Sequence, residues 1–214
     1  MRKNFLIFGD SIVYGILDKE YGGWAQRLRL FIENKEGQLV SLFHILGISG
    51  ESSSELLGRI EFEIVHRLDQ KRETIVIISV GINDSCFIKK EGRIMTPPQK
   101  FRHNVKELIK ISKKYSSRII FIGLTPVEEI KVSPYPLSST GKIYNNQSIN
   151  KYNNIIREEC LRSNIHFIEI FNKFESLNYK ELLADGLHPN PKGHQKIFEI
   201  VKEYLTKNGI INEN

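Results

Sequence analysis

The amino-acid sequence predicts an α/β domain built on a parallel sheet, and three observations carry that prediction. Short β-rich runs alternate with longer amphipathic stretches along the chain, the pattern of strands joined by crossover helices. One run, Thr74 to Val80, is almost uninterrupted β-branched residues, as a central strand buried on both faces requires. The 214 residues, 40% of them hydrophobic, suffice for one sizeable core, so a single domain over 1–214 is expected.

The elements follow in order. Phe5 to Phe8 reads as a first strand, and Gly22-Gly23 leads into a helix whose buried face carries Trp24, Leu28, Phe31 and Ile32. Leu39 to Ile45 reads as a second strand. Ser52 and Ser53 are good N-caps for a helix placing Leu57, Ile60, Ile64 and Leu68 on one stripe. After Thr74 to Val80 come a polar loop, Pro97-Pro98 and a helix turning Phe101, Val105, Leu108 and Ile109 inward. Arg118 to Gly123 is a fourth strand. Thr125 to Tyr144, with three prolines, a glycine and several serines, is too long for a routine connection of about 2 to 6 residues and is expected to be a binding loop or lid. A helix at Asn146 to Arg162, a fifth strand at His166 to Ile170, a turn at Asp185 to His188 and a helix carrying Ile197, Val201, Tyr204 and Leu205 complete the pattern.

Charge and composition narrow the function classes. The formal charge of +6 arises from 31 Lys and Arg against 25 Asp and Glu, but the basic residues, such as Lys106, Lys110, Lys113 and Lys114 or Lys192, Lys196 and Lys202, are spread over helix faces. With no zinc-ligand spacing or RNA-recognition signature beside them, a nucleic-acid partner is not expected. The apolar run that ends at Phe8 is too short for a secretory core or a membrane span. Two cysteines, Cys86 and Cys160, favour a reducing compartment, so a cytoplasmic location is expected.

Three separated segments carry chemistry: Gly9-Asp10-Ser11, Gly81-Ile82-Asn83-Asp84 and Asp185-Gly186-Leu187-His188. Ser11 follows the first strand, at the carboxyl edge of the sheet where open α/β folds bind ligands. The surrounding residues are not Gly-x-Ser-x-Gly, so the α/β-hydrolase nucleophile elbow is not indicated. His188 precedes Pro189, which disfavours helical backbone, so the segment is a loop that can aim His188 at Ser11 while Asp185 orients the other ring nitrogen. Asn83 follows the strongest strand and can donate to an oxyanion or form an ordinary turn. Gly50, after the second strand and before a helix, leaves backbone N–H groups free for an anion. Asp10 and Asp84 read as structural acceptors at strand ends, Cys86 as an inert thiol, and Trp24 and Tyr14 as core residues with pocket lining as the alternative.

These four blocks resemble those of the SGNH hydrolase superfamily, the GDSL esterases and lipases, over nearly the whole chain. The resemblance implies Ser11 as nucleophile, His188 as general base and then acid, and Asp185 as the orienting carboxylate. It implies an oxyanion hole from the Ser11 and Gly50 N–H groups and the Asn83 amide. It also implies a flavodoxin-like three-layer α/β/α fold of five parallel strands in order 2-1-3-4-5, with no metal and no cofactor. Leu46-Gly47 departs from the pattern, in which an Asn often stands close before the Gly50 position.

The reaction expected is hydrolysis of a small carboxylic ester, with short acyl groups favoured because Cys86 to Gln99 and Thr125 to Tyr144 hold no long apolar stripe. Acyl transfer to another acceptor would use the same acyl-enzyme. Metal-dependent phosphoryl chemistry through Asp10 and Asp84, and a non-catalytic binding module, are the readings from other classes. Oligomeric state is left open.

Overall fold

A computed structural model describes residues 2–37 and 40–212; Leu39, expected to open the second strand, lies outside them. Five strands form one parallel sheet: β1 (Lys3–Gly9), β2 (Ser41–Gly47), β3 (Glu73–Ser79), β4 (Arg118–Ile122) and β5 (His166–Ile168). Their order is 2-1-3-4-5, with every neighbouring pair parallel. The strand β3 sits between β1 and β4, and Ile75, Val76, Ile77 and Ile78 have no exposed surface. Its β-branched sequence thus marks a strand covered by helices on both faces.

The helices are α1 (Ser11–Tyr14), α2 (Trp24–Glu36), α3 (Ser53–Val65), α4 (Pro98–Lys113), α5 (Asn146–Arg162), α6 (Phe171–Glu175) and α7 (Pro191–Lys207). One layer holds α2 packed on α7, and the other holds α3, α4 and α5 side by side. Local chemistry sets their starts. Ser52 caps α3 in a reciprocal box with Glu55, Pro98 opens α4, Asn145 caps α5 and Asn190 caps α7.

Several boundaries differ from the sequence reading. The buried stripe of α3 is Ser53, Leu56, Ile60 and Ile64, whereas Leu57 is half-buried and Leu68 lies beyond the helix, 43% exposed. The helix stops at Val65, so the stripe has no turn left to carry Leu68 inward. On the opposite layer, Trp24, Leu28 and Ile32 are buried, while Phe31 stays partly open against Phe198. The last strand ends at Ile168, where its ladder with β4 ends.

One feature has no periodicity in the sequence. Two-residue strands at Phe87–Ile88, Arg93–Ile94 and Lys142–Ile143 form a small antiparallel sheet with Phe87–Ile88 in the middle. It joins the segment after β3 to the Thr125–Tyr144 loop and stands beside the carboxyl edge of the main sheet.

Candidate active site

The site begins with a packing constraint. Gly9 ends β1 so close to β3 that a Cβ there would lie 2.1 Å from the Ser79 carbonyl oxygen, so the chain passes tightly against its neighbour before turning. Asp10 then caps α1, accepting from the Ile12 N–H at 2.9 Å, and this places Ser11 at the first helical position. Its N–H, in the first turn, has no intrahelical acceptor. Burial pushes the Asp10 carboxyl up to about 7.

His188 arrives from the far end of the chain on a clamped turn. A bridge joins Leu183 to Pro189, and the Ala184 N–H donates to the His188 carbonyl at 2.8 Å. The Asp185 Oδ1 accepts from the Leu187 N–H at 2.9 Å and the His188 N–H at 2.7 Å. Its Oδ2 lies 2.8 Å from His188 Nδ1, and His188 Nε2 lies 3.0 Å from Ser11 Oγ. The carboxylate fixes the ring's tautomer: Nδ1 carries the proton and Nε2 offers its lone pair to the serine. Burial opposes ionisation of Asp185, but the hydrogen bonds from the His188 ring and backbone win and hold the carboxyl well below the usual range.

Gly50 sits in the turn before α3 at φ +81°, a conformation that glycine adopts without strain. Among the described residues its N–H has no acceptor. Glu51, beside it, forms a two-pronged ion pair with Arg59 at 2.5 and 2.6 Å, and Arg59 also donates to the Leu46 carbonyl. The turn is thereby tied to both β2 and α3. Asn83 is 4% exposed, and its Nδ2 donates one hydrogen to the Glu51 carbonyl at 3.2 Å while Oδ1 accepts from the Tyr144 hydroxyl at 3.2 Å. With those two partners the amide cannot flip, and its second N–H remains available.

Ser11, Gly50, Asn83 and His188 line one cavity of about 470 Å³. Asp185 stands behind the imidazole. Asp84 accepts from the Ser53 N–H and hydroxyl, tying the Asn83 turn to the start of α3; like Asp10, which accepts from the Ile12 N–H, it is a backbone-tying acceptor. Burial pushes the Cys86 thiol up to about 11, far from thiolate reactivity. Trp24 is fully buried core, but Tyr14 is 61% exposed and is not among the residues lining this cavity; α1 is a single turn whose outer side faces solvent. The far wall of the cavity, not named from sequence residue by residue, includes Met95, Tyr135, Lys142 and Tyr144. The sequence pointed to this wall through the length and composition of Thr125–Tyr144, and within it the Pro-Tyr-Pro of residues 134–136 fixes backbone around an aromatic ring.

A family model described as the GDSL-like lipase/acylhydrolase family matches residues 7–196. The chain belongs to this family. It is therefore a serine carboxylic-ester hydrolase acting on small-molecule esters. Among curated relatives, the isoamyl acetate-hydrolyzing esterase of Saccharomyces cerevisiae is 22% identical over 214 residues, covering 94% of this chain and 87% of that protein. The human isoamyl acetate-hydrolyzing esterase 1 homolog is 25% identical over 205 residues, covering 90% and 77%. Two solved structures share the fold. A lipase/acylhydrolase from Enterococcus faecalis superposes with TM-score 0.75 at 20% identity over 97% of each chain. Axe2, an acetylxylan esterase from Geobacillus stearothermophilus, gives 0.71 at 19% identity over 94% and 93%. Among the described residues, no helix of this hydrolase is long and apolar enough to cross a membrane.

Proposed function

We propose that this hydrolase cleaves short-acyl carboxylic esters through a Ser11 acyl-enzyme, with His188 as base and acid and Asp185 as its orienting carboxylate. The observation that carries the reading is the relay of 3.0 Å from Ser11 Oγ to His188 Nε2 and 2.8 Å from Nδ1 to Asp185. Ser11 Oγ attacks the ester carbonyl carbon as its proton passes to Nε2. The oxyanion that forms is held by the Ser11 and Gly50 N–H groups and the free Asn83 N–H. Collapse expels the alcohol, protonated by His188. A water deprotonated by the same nitrogen then releases the acid and restores Ser11.

The short-acyl preference is supported by a cavity of about 470 Å³ that must hold both sides of the ester, and by the serines and threonine of residues 138–140 in its wall. The relatives named above for isoamyl acetate and acetylxylan act on acetyl esters by their names. A single catalytic domain is supported by one continuous hydrophobic core, and a cytoplasmic setting by two free, buried cysteines. The test is kcat/KM across acyl esters of increasing length, in the native enzyme and in Ser11→Ala. Activity falling from short to long chains and absent from Ser11→Ala is expected; a maximum on chains of about twelve carbons or more would overturn the short-acyl reading, and activity in Ser11→Ala the mechanism.

A further inference from the structure

We propose that the Val132–Tyr144 segment belongs to the acyl-transfer machinery, with Tyr135 positioning the Asp185–His188 pair and Tyr144 positioning the Asn83 amide. The inference rests on the catalytic reading above and extends it to a wall of the cavity that carries no motif.

Tyr135 donates its hydroxyl to Asp185 Oδ2 at 2.8 Å, on the oxygen that also faces His188 Nδ1. With the two backbone donors on Oδ1, the carboxylate's four acceptor positions are filled. Of those four donors, only Tyr135 comes from outside the Asp185–His188 turn. Its ring also stands edge-on to the imidazole, centroids 6.0 Å apart at 68°. The backbone around it is held by flanking Pro134 and Pro136 and by the Tyr135 N–H donating to the Lys142 carbonyl at 2.7 Å. The phenol therefore takes part of the carboxylate's charge from a fixed position, moderating how strongly Asp185 holds an imidazolium.

Tyr144 does the equivalent for the oxyanion side. It is 2% exposed and donates to Asn83 Oδ1, leaving Nδ2 to point one hydrogen at Glu51 and the other toward the cavity. Tyr135 and Tyr144 meet edge-to-face, 6.3 Å apart at 85°. The strand pairing of Lys142–Ile143 and the bond from the Tyr144 N–H to the Val132 carbonyl fasten the segment at its base. Burial pushes both phenols well above their ordinary range, so both remain donors throughout the working pH. Among the described residues, Asp185, Asp10 and His194 interact with His188 through charge.

The test is steady-state kinetics of Tyr135→Phe and Tyr144→Phe, alone and combined with Asp185→Asn and Asn83→Ala respectively. Each single variant is expected to lower kcat about tenfold with KM within about twofold, the scale of one hydrogen bond to a charged or transition-state group. Tyr135→Phe should also move the acid limb of the kcat/KM profile to higher pH, because the undiluted carboxylate holds the imidazolium more firmly; Tyr144→Phe should leave that limb in place. In the double variants the phenol's loss should cost little more, since its partner is already gone. Where a Phe variant fails to fold, 3-fluorotyrosine at that position keeps the shape and strengthens the donor. At 135 it should move the acid limb to lower pH, and at 144 it should change kcat but not the limb. Native kinetics in the variants, changes confined to KM, or losses that multiply fully in the double variants would overturn the proposal. Loss of activity in Ser11→Ala alongside any of these would leave the catalytic reading standing and remove only the role of the tyrosines.

Discussion

The cavity has two sides made in different ways. Its floor is the carboxyl edge of the main sheet, where Ser11, Gly50 and Asn83 each emerge from the end of a strand and His188 closes over them from the turn before α7. Its wall is built from two excursions, after β3 and after β4, joined by the two-residue strands of the small sheet. The floor is tied by buried ionic and capping bonds, among them Glu51 to Arg59, Asp84 to Ser53 and Asp10 to the Ile12 N–H. The wall is tied mainly by backbone pairs and bears exposed residues such as Leu137, 82% exposed. The proposed chemistry thus rests on buried side-chain ties in the floor, and the wall reaches it through two tyrosine hydroxyls while its outer residues face solvent.

Replacement in the floor should produce the largest effects. On the proposed mechanism His188→Ala removes the proton acceptor and is expected to lower kcat by about 10⁴-fold or more with the fold intact, measured with a short acyl ester and a parallel thermal melt. Asn83→Ala should lower kcat by about 10² to 10³ with little change in KM, because an oxyanion donor acts mainly in the transition state. A change confined to KM would move Asn83 from the floor's chemistry to substrate binding.

Asp10 links the floor to stability. Its carboxyl ionises at 3.8 ordinarily but near 7 in the fold, through burial, so the folded state keeps a proton that the unfolded chain releases. Stability from this group is full below about 3.8 and is lost as pH rises toward 7, by on the order of 4 kcal/mol. Asp10→Asn keeps a capping oxygen and should flatten that decline in denaturant titrations over this range. His194 acts in the opposite sense. Buried with Nδ1 accepting from the Trp24 N–H and Nε2 facing the Ile16 carbonyl, it is held neutral, and burial lowers its titration. Its contribution is lost as pH falls below the unfolded value of about 6.5. The smallest effect belongs to the wall: Leu137→Ala should change KM by no more than a few-fold and leave kcat unchanged.

The same division explains what was legible in the sequence. Helix α5 was readable to both ends, because its apolar period is long and Asn145 supplies a side-chain cap. The floor was readable because Ser11, Gly50 and Asn83 follow strands that the sequence announces, and parallel strands deliver their carboxyl ends to one edge. The wall was not. Strands of two residues have no period, and the contacts that matter there join residues 50 and 61 positions apart, Tyr135 to Asp185 and Tyr144 to Asn83. Leu68 was misplaced for a related reason: periodicity continues past the point where the α3 backbone stops.

The central claim is that Ser11 is the nucleophile and that His188 activates it. Its most direct test is reaction with a fluorophosphonate followed by peptide mass mapping, in the native enzyme, Ser11→Ala and His188→Ala. The relay predicts one adduct on Ser11, none in Ser11→Ala, and a labelling rate in His188→Ala lowered by orders of magnitude. An adduct on Ser49 or Ser53, or labelling of Ser11 at the native rate without His188, would contradict it.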